Sequence, residues 1–443
     1  MSCVGFLAQG VWTHPADRST RMNTLDYWLD YARLLERGMF DMLFIADTIG
    51  TYDVYGGSID AAVRGGVQLP MNDPSVVVSG MAAVTKNLGF GITGNVIYEP
   101  PYLFARRMST LDHLTGGRVG WNIVTGILAS GAKVMGRDKI VAHDERYDVA
   151  DEYLELMYKL WEGCWDDDAV RFDREKHLFA DPRGVHPVHH DGRYFKMEGV
   201  HPCLPSPQRT PFLFQAGASG RGKAFAATHA ECVFVNGVSK ESVAANVADI
   251  RRLAAAQGRN PADVLVLAGA TIIVGRTDAE AREKADAYRR CADPEAVLAH
   301  AAGGLGVDLS RYPLDEPLTY QETDANRTSM EMFTRNAKRT YTPRQIAEEM
   351  ALSARNLLIV GSVEHVVGEL ADWMAKTGVN GFNVARLIMP ETLQDFVELA
   401  VPALQERGLL KREYRSGTLR EKIFGAGPRL RSPHPAAMAR TST

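Results

Sequence analysis

The sequence alternates short runs rich in Val, Ile and Phe with amphipathic stretches of helical length. Strands that are buried on both faces read as continuous apolar runs, and helices between them cover a parallel sheet. Eight runs are predicted to be strands: residues 4–11, 40–46, 88–94, 118–125, 211–216, 231–236, 263–274 and 380–387. Eight strands in this alternation predict an α/β fold of the (β/α)8 TIM-barrel type.

The stretches between these runs have helical periodicity. Residues 24–37 place Leu25, Trp28, Leu29, Ala32 and Leu35 three or four positions apart, which forms one apolar stripe. Further helices are predicted at residues 75–86, 102–114, 144–162, 219–230, 239–257, 364–376 and 391–407.

Two segments depart from the alternation, and we interpret them as insertions at about 166–210 and 276–362. The first contains a predicted hairpin around HHDGRYFKM. Long insertions usually extend from the βα loops, where they can cover an active-site mouth. A length of 443 residues also allows two or three domains. We predict one barrel domain over 1–408 and a C-terminal extension over 409–443, which either wraps a neighbouring subunit or is loosely ordered.

Composition narrows the class of protein. Fifty Lys and Arg oppose fifty-four Asp and Glu, which argues against a nucleic-acid partner. The apolar runs fall short of the roughly 20 residues that a membrane helix needs. The start, MSCVGFLAQGVW, lacks the basic region of a signal peptide, so we expect a cytoplasmic protein. Five scattered cysteines without CxxC spacing disfavour both a disulfide framework and a cysteine zinc site.

Polar residues follow several predicted strands at the end where a barrel carries its active site. Polar strand ends are also common in α/β proteins without a shared site, so both interpretations stay open. The residues concerned are Asp47, Thr93, Asn95, Asn122, Thr125, Gln215, Ser219 and Asn236.

The segment FLFQAGASGRGKAFAATHA (212–230) is the sharpest local signal. Its glycines let the backbone approach a ligand, and free N–H groups at a helix start attract phosphate. The alternative is a tight strand-to-helix turn with Ser219 as its cap. Neither GxGxxG nor GxxxxGK[ST] occurs, which argues against a dinucleotide-binding unit or a P-loop.

Histidines provide further candidates. His143 and Tyr147 are four residues apart at a helix start and share a face, although an exposed first turn explains them equally. His186, His189 and His190 near His177 lack a helical ligand frame, so we expect no metal site. Cys3 and His300 are single candidates that packing alone could explain.

Taken together, these motifs resemble the bacterial-luciferase-like FMNH2-dependent monooxygenases. The branch is the one with nitrilotriacetate, pristinamycin synthase and dibenzothiophene-sulfone monooxygenases, and dimethyl-sulfide and long-chain-alkane monooxygenases look most similar. The resemblance rests on LERGMFDMLFIAD (35–47), EPPYLFARRMSTLDHLTGGRVGWNIVT (99–125), HDERYDVADEYLELMYKLWEG (143–163), PSPQRTPFLFQAGASGRG (205–222) and NGFNVA (380–385).

The resemblance implies FMN as the cofactor, supplied as FMNH2 by a separate NAD(P)H:flavin reductase, and O2 as co-substrate. It implies a homodimer or homotetramer. The residues that it assigns to the cofactor, with the strand-end residue Asn122 added, are Asp47, Thr93, Asn122, His143, Tyr147, Ser219 and Gly220. The residues that it assigns to catalysis are Cys3, Tyr52, Gln68 and His300.

The implied reaction forms a C4a-(hydro)peroxyflavin, which inserts one oxygen atom into a mainly apolar substrate such as a thioether, a sulfone or an alkane. Such chemistry needs a dry pocket, and the insertion at 276–362 is the expected lid. Phe6 and Ile127 replace histidines of the alkane-oxidising relatives, which makes the pocket more apolar. The alternatives are a flavin- or deazaflavin-dependent hydride-transfer enzyme and a non-catalytic flavin-binding protein.

Overall fold

The computed structural model describes residues 3–217, 219–319, 341–354 and 356–440. Its strands are β1 (Met42–Ile45), β2 (Gly89–Asn95), β3 (Val119–Val124), β4 (Val170–Asp173), β5 (Leu178–Ala180), β6 (Val188–Asp191), β7 (Lys196–Gly199), β8 (Phe212–Gln215), β9 (Cys232–Val235), β10 (Leu265–Gly275), β11 (Leu357–Ser362) and β12 (Gly381–Ala385). Two antiparallel hairpins, β4–β5 and β6–β7, stand apart from the other eight strands, which form one sheet.

Helices alternate with the strands of this sheet. They are α1 (Leu25–Arg37), α2 (Asp60–Gly65), α3 (Pro74–Ala83), α4 (Pro101–Thr115), α5 (Ala129–Val134), α6 (His143–Tyr158), α7 (Gly220–His229), α8 (Lys240–Ala256), α9 (Asp278–Cys291), α10 (Pro294–Leu305), α11 (Pro343–Met350), α12 (Val363–Thr377), α13 (Glu391–Asp395), α14 (Val401–Glu406), α15 (Leu419–Phe424) and α16 (Pro435–Met438). Every helix predicted from the sequence is confirmed. Within the described ranges, no helix is long and apolar enough to cross a membrane.

The sheet has the parallel order expected of a TIM-barrel-like fold. Its strands run β1-β2-β3-β8-β9-β10-β11, with β12 paired to the long strand β10. All of these pairs are parallel. Thr93 on β2 is in register with Asn122 on β3, which is in register with Phe214 on β8. The carboxyl ends of the strands therefore lie at one edge.

Seven of the eight predicted strands are confirmed, and the first is wrong. Residues 4–11 form turns that lead into a 3-10 helix, because Gly5 and Gly10 have φ angles of 52° and 90° that interrupt an extended chain. The eighth strand of the sheet is instead β11, which lies inside the segment predicted as the second insertion. The sequence of β11, LLIVGS, is short and lies next to charged residues. It is therefore not distinguished from the rest of that insertion by its sequence.

The two insertions lie at opposite ends of the sheet. The first holds both hairpins and confirms the one predicted around HHDGRYFKM. It precedes the amino end of β8, however, so the expectation that it extends from a βα loop is wrong. The second lies between β10 and β11, on the carboxyl side, and contains α9, α10 and α11. Residues 320–340 and 355 of the second insertion lie outside the described residues.

The C-terminal segment packs against the amino ends of the strands. Arg420 on α15 forms a salt bridge of 2.6 Å with Glu231, and both side chains are 3% exposed. Leu419 donates its N–H to the carbonyl of Gly117, two residues before β3. Glu162 is fully buried and pairs with Arg429 and Arg440. The described part of this tail is thus ordered on its own barrel, and the alternative of a loosely ordered tail is wrong.

Candidate active site

A cavity of about 830 Å³ opens at the carboxyl ends of the strands. Residues at or just after the ends of β1, β2, β3, β8 and β9 line one part of it, and α6, α7, α8, α10 and α11 contribute further residues. Phe234 of β9 also lines the cavity and stacks on Phe214, with ring centroids 5.6 Å apart. The aromatic side chains inside the barrel therefore form part of its wall.

The structure gathers most of the predicted site residues in this cavity. Three of them lie behind its wall: Asn122 donates to Thr93, while Gln68 and Cys3 form a chain behind His300. The predicted residues that line the cavity directly are Asp47, Tyr52, Thr93, Asn95, Thr125, His143, Tyr147, Gln215, Ser219, Gly220, Asn236 and His300.

Asp47 lies two residues beyond β1 and faces the cavity. Its carboxylate accepts the N–H of Thr48 at 2.8 Å. Burial nevertheless raises the pKa of Asp47 to about 6, because removal from water disfavours the charged form, and the nearby carboxylates of Asp73 and Glu99 add to this effect. The side chain can therefore change its charge within the physiological range.

Two amide oxygens near the cavity have no hydrogen-bond donor among the described residues. Asn122 donates through Nδ2 to the hydroxyl of Thr93 at 3.0 Å, and Thr93 donates to the carbonyl of Ile45. The Oδ1 atom of Asn122 and the Oε1 atom of Gln215 are buried without a partner. A buried acceptor without a donor is costly, so these atoms mark positions where a ligand can donate hydrogen bonds.

The glycine-rich turn between β8 and α7 combines both interpretations of its sequence. Ser219 caps α7 by accepting the N–H of Gly222 at 3.0 Å, and it also lines the cavity. Of the residues that the structure describes, none has an atom within 4 Å of a Cβ added at Gly220, so a ligand can approach the backbone there. A Cβ at Gly222 would lie 2.7 Å from the Tyr147 hydroxyl. Ala218, within this turn, lies outside the described residues.

Helix α6 presents four residues to the cavity, among them His143, Asp144 and Tyr147. The rings of His143 and Tyr147 make an edge contact with centroids 5.5 Å apart, and His143 pairs with Asp144 at 2.7 Å. Burial raises the pKa of Tyr147, and the nearby polar side chains of Ser219 and Gln215 oppose this rise because they favour the ionised hydroxyl.

Arg146 also lines the cavity and is 2% exposed, and the sequence reasoning missed it. Its position three residues after His143, on the same face of the helix, was the available signal.

Tyr52, His300, Gln68 and Cys3 form one connected group. The rings of Tyr52 and His300 lie 5.3 Å apart, and Nε2 of Gln68 lies 3.5 Å from Nε2 of His300. The Cys3 thiol donates to Oε1 of Gln68 at 3.8 Å. Burial lowers the pKa of His300 to about 4 and raises the pKa values of Tyr52 and Cys3. All of these side chains are therefore uncharged at neutral pH.

The histidines of the first insertion have structural contacts. His186 pairs with Asp166 at 2.9 Å, and His190 pairs with Glu152 at 3.2 Å. Glu152 also accepts the backbone N–H groups of residues 193–195, which fixes the β6–β7 turn. In the part of the chain that the structure describes, no three His, Cys, Asp or Glu side chains are arranged to hold a metal ion.

Comparison with known proteins identifies the family. Residues 4–381 match the model of the luciferase-like monooxygenases. The chain belongs to this family. The resemblance inferred from the motifs is therefore confirmed, as is the predicted class of fold.

Individual relatives cover nearly the whole chain. The dimethyl-sulfide monooxygenase of Hyphomicrobium sulfonivorans is 46% identical over 99% of this chain and 92% of its own, and its crystal structure superposes with a TM-score of 0.93. The long-chain alkane monooxygenase of Geobacillus thermodenitrificans is also 46% identical, over 99% of this chain and 96% of its own. A riboflavin lyase solved with modified FMN and riboflavin is 37% identical, covers 98% of both chains and gives a TM-score of 0.92.

Proposed function

We propose that this protein is an FMNH2-dependent monooxygenase that uses O2 to insert one oxygen atom into a small or medium, mainly apolar organic molecule. Thioethers, sulfones and alkanes are the leading substrate classes. The observation that carries the proposal is one cavity that contains both a helix N-terminus suited to phosphate, with Arg146, Arg221 and Lys223 also lining the cavity, and a region around Tyr52 and His300 whose side chains are apolar or uncharged. The similarity to enzymes named for dimethyl sulfide and for long-chain alkanes supports the same substrate classes.

The residues at the cavity fit reduced FMN. The N–H groups of a reduced isoalloxazine ring suit the orphaned acceptor of Gln215, which lines the cavity. Helix α7 begins beside Ser219 and Gly220, and its first-turn N–H groups suit the phosphate. Ring contacts are thus assigned to Asp47 and Thr93, with Asn122 holding the Thr93 hydroxyl from behind, and contacts to the ribityl phosphate are assigned to His143, Tyr147, Ser219 and Gly220. When bound, the reduced flavin supplies the electrons that activate O2.

The remaining groups hold protons and exclude water. The Gln68 side chain donates to the carbonyl of Phe6 at 2.7 Å, and its Nε2 faces Nε2 of His300. Because Gln68 donates through Nε2, Nε2 of His300 accepts and its proton resides on Nδ1. His300 and Tyr52 can then donate a hydrogen bond in the cavity without carrying charge. Cys3 acts through Gln68, since its thiol lies behind the wall.

We further propose that a separate NAD(P)H:flavin reductase supplies the reduced flavin, since the chain lacks a GxGxxG fingerprint. The relative named nitrilotriacetate monooxygenase component A, 31% identical over 96% of this chain, supports a system of several components. We propose one barrel domain over 1–408, an extension over 409–443, and a homodimer or homotetramer.

The test is ¹⁸O incorporation with chemically reduced FMN, ¹⁸O2 and panels of sulfides, sulfones and alkanes, followed by mass spectrometry. One ¹⁸O atom per product molecule is the expected result, and omission of FMNH2 or O2 should abolish it. Substrate reduction under anaerobic conditions would favour the hydride-transfer enzyme instead. Tight FMN binding without product in either assay would favour the non-catalytic flavin-binding protein.

A further inference from the structure

One part of the cavity forms a chamber with few polar groups. We define this chamber by its wall: loop residues after β1 and β3, one face of α10 and the end of α11. The same two loops also contribute the polar residues Asp47, Thr48 and Thr125 to the cavity, and these are not counted in the chamber. Among the nine residues of the chamber wall, only Tyr52 and His300 bear polar side-chain atoms, and both are uncharged at neutral pH. The residues of the wall are Ile49, Tyr52, Ile127, His300, Ala301, Gly304, Leu305, Met350 and Ala354.

Two adjacent glycines on α10 have different surroundings. A Cβ built at Gly303 would overlap the ring of Tyr52, so this glycine lets the helix approach that ring closely. Among the described residues, a Cβ built at Gly304 would meet no atom within 4 Å, although Gly304 lines the cavity. Gly304 lies one helical turn after His300, so both residues face the same side of the helix. The space beside Gly304 is therefore the open part of the chamber next to the polar pair.

We propose that Gly304 sets the size limit of the substrate, which is a neutral apolar molecule whose tail occupies the space that a side chain at this position would fill. This inference rests on the proposed function and adds to it a residue that selects among substrates. A leucine at position 304 adds four carbon atoms to the chamber. It leaves the residues of the turn between β8 and α7, including Ser219, unchanged. A side chain at this position should exclude long substrates and retain short ones.

The experiment compares wild type with Gly304→Leu on dialkyl sulfides of increasing chain length, from dimethyl to dioctyl sulfide. Two readouts are taken: kcat/KM with reduced FMN and O2, and the dissociation constant of each sulfide on protein saturated with oxidised FMN. For Gly304→Leu we expect both to worsen by about tenfold or more for the longest sulfide, and to change by less than about threefold for dimethyl sulfide. The FMN affinity should not change.

Two further variants control for the general effect of replacing a helical glycine and for poor folding of the leucine variant. Gly368→Leu is the matched control. Gly368 lies within α12 and does not line the cavity, and within the described ranges no atom lies within 4 Å of its built Cβ. It should leave the chain-length profile as in wild type. Gly304→Ala removes the cost of a helical glycine, and it should shift the profile in the same direction by a smaller factor even if the leucine variant folds poorly.

The outcomes separate the two proposals. If wild type oxidises the sulfides and both Gly304 variants keep its profile, the role of Gly304 is refuted while the monooxygenase proposal stands. If wild type binds the sulfides without oxidising them, the proposed function fails, and a length-dependent loss of binding in Gly304→Leu still supports the chamber. If wild type neither binds nor oxidises any sulfide in the series, the chamber assignment is refuted as well.

Discussion

The carboxyl group of Asp47 makes the stability of the folded protein depend on pH. Its pKa is about 6 in the folded chain, against an ordinary value of 3.8, chiefly because burial disfavours the ionised form. The folded state therefore binds more protons than the unfolded state between these two values. Since stability falls with rising pH wherever the folded state holds the extra proton, Asp47 lowers the free energy of unfolding as pH rises from about 4 to above 6.

The magnitude follows from the difference between the two pKa values. A difference of about 2 corresponds to about 3 kcal/mol. The side chain faces an open cavity, and water there reduces the effect, so we expect a loss of about 1–3 kcal/mol. Asp47→Asn removes the ionisation and should abolish this part of the pH dependence. The variant should gain stability relative to wild type as pH increases, with the full difference reached above about pH 7.

The assay is equilibrium unfolding in urea of the cofactor-free protein, at several values between about pH 4 and pH 8. The quantity of interest is the difference in unfolding free energy between Asp47→Asn and wild type at each pH, because other titrating groups cancel in it. Asp26→Asn, on the exposed side of α1, controls for the loss of one negative charge. A difference that stays constant with pH, or that falls as pH rises, would refute the burial argument for Asp47.

Two other predictions address the cofactor and the tail. Ser219→Ala and Tyr147→Phe should each weaken FMN binding by about 1.5–3 kcal/mol, measured by calorimetry, because each removes a hydrogen bond to the charged phosphate. Unchanged affinity in both variants would place the phosphate elsewhere. Arg420→Met should cost about 3–5 kcal/mol in urea unfolding, since it leaves the buried carboxylate of Glu231 unpaired. The exposed Arg431→Met should cost less than about 1 kcal/mol, and equal losses in the two would contradict the role of burial.

Much of the fold could be predicted from the sequence, because the period of apolar residues is a local property. Seven strands and all predicted helices follow from it. The pattern of apolar residues gave the wrong secondary structure where the conformation of a segment depends on the element that it packs against or pairs with. Residues 4–11 have the apolar content of a strand, yet they pack as turns against α9 and α10, where the N–H of Asp293 donates to the carbonyl of Gln9. Strand β11 is recognisable only through its pairing with β10.

Some residues of the candidate site could likewise be named from the sequence, whereas others could be placed only with the structure. The residues at strand ends, such as Asp47 and Thr93, could be named from the sequence because parallel strands deliver their carboxyl ends to one edge. Their proposed roles, and those of Tyr147 and Ser219, came from the family resemblance. The sequence did not distinguish the side chains that line the cavity from those behind its wall, and it missed Arg146.

By itself, then, the sequence determined the α/β alternation, the family and the set of polar residues that could meet. The tertiary structure decided that α10 lies beside Tyr52, that Cys3 contacts Gln68 behind His300, and that no atom of the described residues fills the space beside Gly304. These features depend on contacts between residues more than 50 positions apart in the chain. Distances of this kind are set by how whole elements pack, and no local pattern of residue types encodes them.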